Sequence, residues 1–326
     1  MLVKDPRAIE IVNRALFLTS SSFQKGQVQL MAREYNSDVS VVIPTKNSAR
    51  TIRECLESVL QEGPKEILAM DRMSTDGTLD ILRQYKATIL TPSMDSVGYS
   101  RQLGVESARG TYVMFVDSDM ILSKGCVSKL RSELDRNNWA GIHAMVLSAE
   151  NLSYWQRSED ASFSLNFNRV GAMHRIGTGA ALFRKDLLLK HPFDAYLAES
   201  SEDLDVCLRL GRNGHTVGVS SAVAYHYHRR TFSAFVRQRF NHGLGHARLG
   251  VKYASIGILV SPLRSGIFYV IYSLATNRAN LIPFWLTEAL AKFLGVVFGL
   301  SRARSCYPHA IQVVDRRNRG PTNARQ

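Results

Sequence analysis

Two acids one residue apart, Asp117 and Asp119, end the apolar run Tyr112 to Val116. Alternate residues of a strand share a face, so both carboxylates can converge on one point beyond the strand's end. A hard divalent cation suits that arrangement, since Mg²⁺ takes one or two carboxylates together with substrate phosphates. The same Asp-Ser-Asp triplet also suits a turn. A second acid pair, Glu202 and Asp203, opens the segment "SEDLDVCLRLGRNGH" (201–215). Acids there can complement a helix N-terminus or supply a general base, and Asp205 can serve the first purpose alone. Further along, "AYHYHRR" (224–230) puts His226 and His228 on one face of a strand-like segment, next to Arg229 and Arg230. A histidine here can complete a metal site, contact an anion or cap a sheet edge. His228 is the stronger choice because it abuts the basic pair.

These residues need elements to hold them. "VSVVIP" (39–44), "EILAMD" (66–71), "ATIL" (87–90) and "TYVMFVD" (111–117) are short apolar, β-branched runs and predict buried strands. Between them, "ARTIRECLESVLQ" (49–61), "TDGTLDILRQY" (75–85) and "VGYSRQLGVESA" (97–108) predict helices. Strands and helices in this alternation imply a mostly parallel sheet with helices on both faces. Ligands of such sheets sit at the carboxyl ends of the strands, where Thr45, Asp71 and Asp117 fall. After Gly125 the rhythm loosens. "GAALFRKDLL" (179–188) regains strand-to-helix character, and a helix over 201–215 stops at Gly214.

Four motifs in order, "PTKN" (44–47), "MDRMSTDGT" (70–78), "SARGTYVMFVDSD" (107–119) and "FDAYLAESSEDLDVCLRL" (193–210), resemble the glycosyltransferase A fold, and within it the inverting, nucleotide-sugar-dependent family 2. The resemblance covers about residues 38–228. It implies a Rossmann-like α/β sheet and a set of roles. Pro44, Thr45 and Asp71 correspond to nucleobase contacts. Arg101, on the donor-side helix, corresponds to a diphosphate contact. Asp117 and Asp119 correspond to an Asp-x-Asp pair holding Mg²⁺ or Mn²⁺ against the diphosphate, with His228 beside them. Asp203, with Glu202 next to it, corresponds to the general base. Met73 departs from the pattern, because a polar residue is usual there, which weakens any inference about the base of the donor.

The chain has 326 residues and a formal net charge of +13, and the charge is unevenly placed. Residues 206–326 hold 17 Lys and Arg against only Glu288 and Asp315, whereas residues 1–205 are nearly neutral. That asymmetry points to an anionic partner. The cationic half carries an amphipathic helical segment (231–248) and two apolar stretches, 253–275 and 279–300. Pro262 and Arg264 interrupt the first stretch, and Glu288 and Lys292 the second. Charges inside a span are costly, and Glu288 and Lys292, four apart, can pair on one helix face. Helices lying in a membrane interface, or a shallow hairpin, are therefore expected in place of two clean spans. Basic flanks suit an anionic cytoplasmic leaflet.

The expected organisation is a helical extension (1–37), a catalytic domain (38–228), a membrane-associating helical region (229–300) and a basic tail (301–326). Lys4, Asp5, Arg7 and Glu10 interrupt the N-terminus, so no signal peptide is expected. Cys55, Cys126, Cys207 and Cys306 show no metal-ligand spacing and read as ordinary thiols. The expected function is metal-assisted sugar transfer from a nucleotide-diphosphate donor to a lipid-linked or surface-glycan acceptor, at the cytoplasmic face of the cell membrane. Two other classes compete. A nucleic-acid-binding protein would use the basic half, but zinc spacing and RNP-like aromatics are missing, and its basic residues interleave with apolar stretches that suit lipid better. A non-catalytic scaffold of the same fold would not need Asp117, Asp119 and Asp203 together.

Overall fold

The computed structural model describes residues 36–150 and 153–307. The extension expected over 1–37 and most of the basic tail lie outside the described residues. Four parallel strands lead the sheet: β1 (Val39–Thr45), β2 (Glu66–Asp71), β3 (Thr88–Leu90) and β4 (Tyr112–Val116). Helices α1 (Ile52–Gln61), α2 (Thr78–Gln84) and α3 (Val97–Ser107) connect them. All seven residues of β1 are buried, as a strand covered on both faces requires. Its alternating side chains feed two cores. Val41 and Ile43 face one with Ile52, Leu56 and Val59 of α1, and Val42 faces the other with Val105 of α3. Each such aliphatic residue, once buried, contributes about 1.5–3 kcal/mol.

The α/β sheet with helices is as expected, and its leading strands are parallel, but beyond β4 the sheet is partly antiparallel. The further elements are β5 (Met120–Leu122), α4 (Cys126–Arg136), β6 (Gly141–Ser148), α5 (Tyr154–Asn166), β7 (Gly171–Met173), β8 (Ala180–Arg184), α6 (Lys185–Lys190), α7 (Glu202–Arg212) and β9 (Val217–His226). The strand order is β3-β2-β1-β4-β8-β6-β9-β5, with β7 on β9. Strand β8 runs antiparallel to both β4 and β6, and β5 and β7 run antiparallel to β9, while β6 and β9 are parallel. Parallel neighbours need a crossover of a dozen residues or more, and the regular strand–helix alternation that provides it ends at β4.

The C-terminal part is helical: α8 (Phe232–Lys252), α9 (Ile256–Leu259), α10 (Ser261–Ala275) and α11 (Ile282–Cys306). Helices α8 and α11 touch backbone to backbone. A Cβ on Gly243 would lie 2.0 Å from the Lys292 carbonyl oxygen, and one on Gly295 would lie 2.1 Å from that of Phe240. Rings tie these helices to α5, with Trp155 stacked on Phe235 at 5.2 Å, Phe235 against Phe284 at 5.1 Å and Trp285 stacked on Tyr269 at 4.3 Å. The outward faces remain apolar. Leu263, Ile267, Ile271 and Leu274 of α10 are exposed, and so are Leu286, Leu290, Leu294 and Phe298 of α11. Among the described residues one helical segment, 279–306, is long and apolar enough to cross a membrane.

Candidate active site

A cavity of about 1190 Å³ opens at the carboxyl ends of the leading strands, and α8, α10 and α11 form its far wall. Pro44, Arg101, Asp117, Asp119, Glu202 and Asp203 all line it. The structure thus brings together residues up to 159 positions apart in the chain, counted from Pro44 to Asp203.

Arg101 is the hub. Its guanidinium donates to Asp117 Oδ1 at 2.7 Å and pairs with Glu202, and only 4 % of the residue is exposed. The arginine expected at the diphosphate is therefore already committed to the two acidic motifs. Burial pushes Glu202 up to about 7; Arg101 opposes that rise and neighbouring Asp203 adds to it. Asp203 is also raised, chiefly by burial, against the backbone N–H of Leu204. The turn carrying this pair is held from the other side. Ser201, with φ of 72°, caps α7, and its Oγ lies 3.3 Å from His246 Nδ1 of α8.

Asp119 faces different partners. Its Oδ2 lies 3.5 Å from His226 Nε2 and 3.4 Å from Arg229 Nη2. Burial would raise its pKa, but His226 and Arg229 outweigh that and hold it well below the usual carboxylate range. The pairing of Met120 with His226 across β5 and β9 delivers this histidine to the acid. His228 is turned away: Nδ1 lies 3.6 Å from Glu159 Oε2, and neither ring nitrogen has a hydrogen-bond partner among the described residues. Burial lowers it to about 4, so it is neutral near pH 7. The contact with the Asp-x-Asp acid belongs to His226 instead.

Thr45 and Asp71 stand behind the cavity wall. Thr45 Oγ1 donates to Asp71 at 2.9 Å, and Asp71 also accepts from the Ser74 amide at 2.9 Å and the Ser74 hydroxyl at 2.6 Å. Both are about 1 % exposed. They shape the turn that leads to Met73, which is 70 % exposed with φ of 54°. Polar groups that do reach the cavity beside Pro44 include Asn47 and Ser48 as well as Lys46 and Arg72, the last two both paired with Asp95. Asp95 belongs to no apolar period and to none of the four motifs, so pattern reading passes over it, and Lys46, within "PTKN", gives no local sign of its partner.

Residues 40–191 match the family described as Glycosyl transferase family 2. The chain carries a glycosyltransferase family 2 domain. The chain resembles the poly(ribitol-phosphate) beta-glucosyltransferase of Bacillus spizizenii, at 41 % identity over 92 residues, 25 % of this chain and 14 % of that protein. It also resembles the poly(ribitol-phosphate) beta-N-acetylglucosaminyltransferase of Staphylococcus aureus, at 33 % identity over 206 residues, 58 % of this chain and 35 % of that one. The chain thus spans about a third or less of the length of these curated relatives. Among solved structures, mannosyl-3-phosphoglycerate synthase from Rubrobacter xylanophilus aligns at a TM-score of 0.50 and 18 % identity, over 69 % of this chain and 79 % of that one. That likeness concerns the fold, and the glycosyltransferase domain adopts the α/β architecture expected for it.

Proposed function

We propose that the protein is an inverting glycosyltransferase that moves a sugar from a nucleotide-diphosphate donor to a hydroxyl of a lipid-linked or surface-glycan acceptor. The observation that carries this reading is the convergence of Asp117, Asp119 and the Glu202–Asp203 pair on one cavity, with Arg101 bridging the first and last.

The donor enters at the strand ends, beside Pro44, Lys46 and Arg72. Asp117 and Asp119 would hold Mg²⁺ or Mn²⁺. Asp117 offers Oδ2, since Oδ1 is taken by Arg101, and Gly179 leaves room in front of it, as a Cβ there would come within 3.2 Å of Oδ2. Among the described residues no group of three His, Cys, Asp or Glu side chains surrounds a metal position. This fits an ion that takes its remaining ligands from the diphosphate. When bound, such an ion neutralises charge on the departing diphosphate. Arg229, near Asp119, adds a fixed cation on the same side.

Asp203 accepts the proton of the acceptor hydroxyl. Its raised pKa makes it a better base than a free aspartate, and a base tuned towards the working pH is the more effective one. Glu202 cannot share that role while its carboxylate is clasped by Arg101. Attack opposite the leaving diphosphate inverts the anomeric carbon.

The apolar outer faces of α10 and α11, beside a strongly cationic chain half, support docking on the anionic cytoplasmic leaflet through residues 229–300, with residues 38–228 as the catalytic part. Glu288 and Lys292 support an interfacial position. They pair with each other on the cavity side of α11, while the outward stripe from Leu286 to Phe298 carries no charge and the exposed Arg302 and Arg304 follow it in the last turns.

Nucleotide sugars with Mn²⁺ test the reading. Asp203→Asn is expected to keep UDP or GDP affinity and lose transfer by about 10²–10⁴-fold. Asp119→Ala is expected to remove the metal dependence of nucleotide binding. Near-native turnover in the first variant, or EDTA-insensitive native affinity in the second, sinks the respective assignment.

A further inference from the structure

Most cations around the cavity are spent on carboxylates. Arg72 pairs with Asp95, Arg101 with Asp117 and Glu202, Arg229 with Asp119, Arg239 with Glu159, and Lys292 with Glu288. Three cavity arginines have no ion pair among the described residues. Arg50 lies on the donor side, over the Tyr227 ring at 5.5 Å. The other two, Arg175 and Arg264, are exposed to the cavity.

Arg175 follows β7 and precedes the Gly177 turn, where a Cβ would lie 4.0 Å from Asp203 Oδ2. Its charge acts on Asp203 of α7, His246 of α8, Tyr269 of α10 and Lys292 of α11. It therefore faces the space between the catalytic acid pair and the helical wall, on the acceptor's side of the reaction. The neighbouring histidines add no charge, since burial holds His246 near 4 and His242 well below its ordinary value. Among the described residues the Arg175 guanidinium lies over the ring of Phe167, 5.7 Å away, and forms no ion pair. A neutral polyol would leave this cation unanswered. A phosphate would not, because the planar guanidinium donates two parallel hydrogen bonds to phosphate oxygens.

We propose that the acceptor carries a phosphate close to the reacting hydroxyl, and that Arg175 holds it, with Arg264 as the second cation on the same cavity. This rests on the transferase reading above and names its acceptor class. The phosphate can belong to a soluble polyol or glycan phosphate or to a lipid head group, and the experiment separates the two. Arg175 positions the acceptor: with the anion held, the hydroxyl beside it is presented to Asp203.

The test uses the full chain with saturating UDP and Mn²⁺, so that the donor's own phosphate site is filled. Calorimetric titration with glycerol 1-phosphate and with glycerol compares the native chain, Arg175→Ala and Arg175→Lys. Glycerol 1-phosphate is expected to bind and glycerol not. Arg175→Ala is expected to weaken the phosphate ligand about ten- to a hundredfold, as loss of a charge-assisted hydrogen bond does, with Arg175→Lys in between. Flotation on phosphatidylcholine vesicles with and without phosphatidic acid is run on the same proteins. Loss of both titration and phosphatidic-acid-dependent flotation in Arg175→Ala assigns the lipid source, and loss of the titration alone assigns the soluble one. UDP heat in each sample reports a folded donor site. Its absence in the native chain overturns the transferase reading itself. Intact UDP binding with equal affinity for glycerol 1-phosphate in native and Arg175→Ala proteins, or equal affinity for glycerol and its phosphate, overturns the Arg175 assignment alone.

Discussion

Replacing Arg101 by methionine removes a cation that Asp117 and Glu202 share while keeping most of the side-chain volume. Glu202 is only 4 % exposed, and its one other side-chain partner among the described residues is the Thr178 hydroxyl at 3.4 Å. Breaking a buried pair by removing one member costs about 3–5 kcal/mol, because the remaining charge is left unsolvated. For a chain of this size, with an unfolding entropy of about 0.7 kcal/mol/K, that corresponds to a fall of roughly 4–7 °C in midpoint. The loss depends on pH in a direction fixed by Glu202. Its folded-state pKa, already about 7 against an ordinary 4.5, rises further once Arg101 is gone. A raised carboxyl pKa means that the folded state holds the proton more tightly than the unfolded one. The variant therefore loses stability as pH rises from about 4.5 through and beyond 7, and is closest to native in acid. Adding Glu202→Gln, which carries no charge at any pH, is expected to recover most of the loss at pH 8. Urea midpoints of the native, single and double variants at pH 5 and pH 8 measure this. A single variant within about 1 kcal/mol of native at pH 8, or a double variant no better than the single, refutes the clasp as a stabilising element.

Three further outcomes are expected. Gly243→Ala puts a methyl group 2.0 Å from a backbone oxygen of α11 and should cost about 1–3 kcal/mol, whereas Gly211→Ala, in α7 with nothing within 4 Å, should stabilise by about 0.5–1 kcal/mol; equal melting temperatures would refute the close crossing. His143 and His246 are buried and lowered to about 4, so the unfolded chain binds protons that the folded one refuses. Each should withdraw up to about 3 kcal/mol as pH falls from 6.5 to 4, and urea midpoints that stay flat over that range, or are unchanged in slope by His143→Gln, would show these rings to be solvated. Ile271→Glu with Leu290→Glu, on the outer faces of α10 and α11, should abolish salt-sensitive flotation with anionic vesicles while UDP binding is retained; undiminished flotation would locate the lipid contact elsewhere.

What sequence reading recovers here follows from the range of the forces involved. Strands β1, β2 and β4 are continuous apolar runs, and α1 repeats its apolar residues at helical spacing, so each is legible from a few neighbouring residues. The acids at the ends of β4 and at the start of α7 are legible for the same reason. The Glu288–Lys292 pair is too, because four residues make one helical turn. Contacts set by strand register are not. His226 reaches Asp119 because Met120 pairs with His226 across an antiparallel ladder between segments about a hundred residues apart, and no local pattern distinguishes it from His228. Thr45 and Asp71 end β1 and β2, and their place after apolar runs makes that position legible. Their bond to each other depends on the parallel register of β1 and β2, which pairs these two positions. The apolar stretches after 253 show their composition in the sequence, but which face meets Arg239 and the cavity and which stays bare is decided by the Gly243–Gly295 crossing.

The helical wall over the cavity belongs to the half of the chain with 17 basic and two acidic residues. An uneven distribution of that kind acts at a distance before any contact forms. Potentials of several kT over a cleft raise the arrival rate of an oppositely charged ligand by 10-fold or more, and salt removes the gain as the screening length shrinks to about 8 Å at physiological ionic strength. On the transferase reading proposed above, nucleoside diphosphates and an anionic surface would be drawn towards the same side of the molecule. Association rates for both should fall together as salt is added, while dissociation, governed by the paired groups inside the cavity, changes little. Capture and retention are thus carried by different parts of the chain.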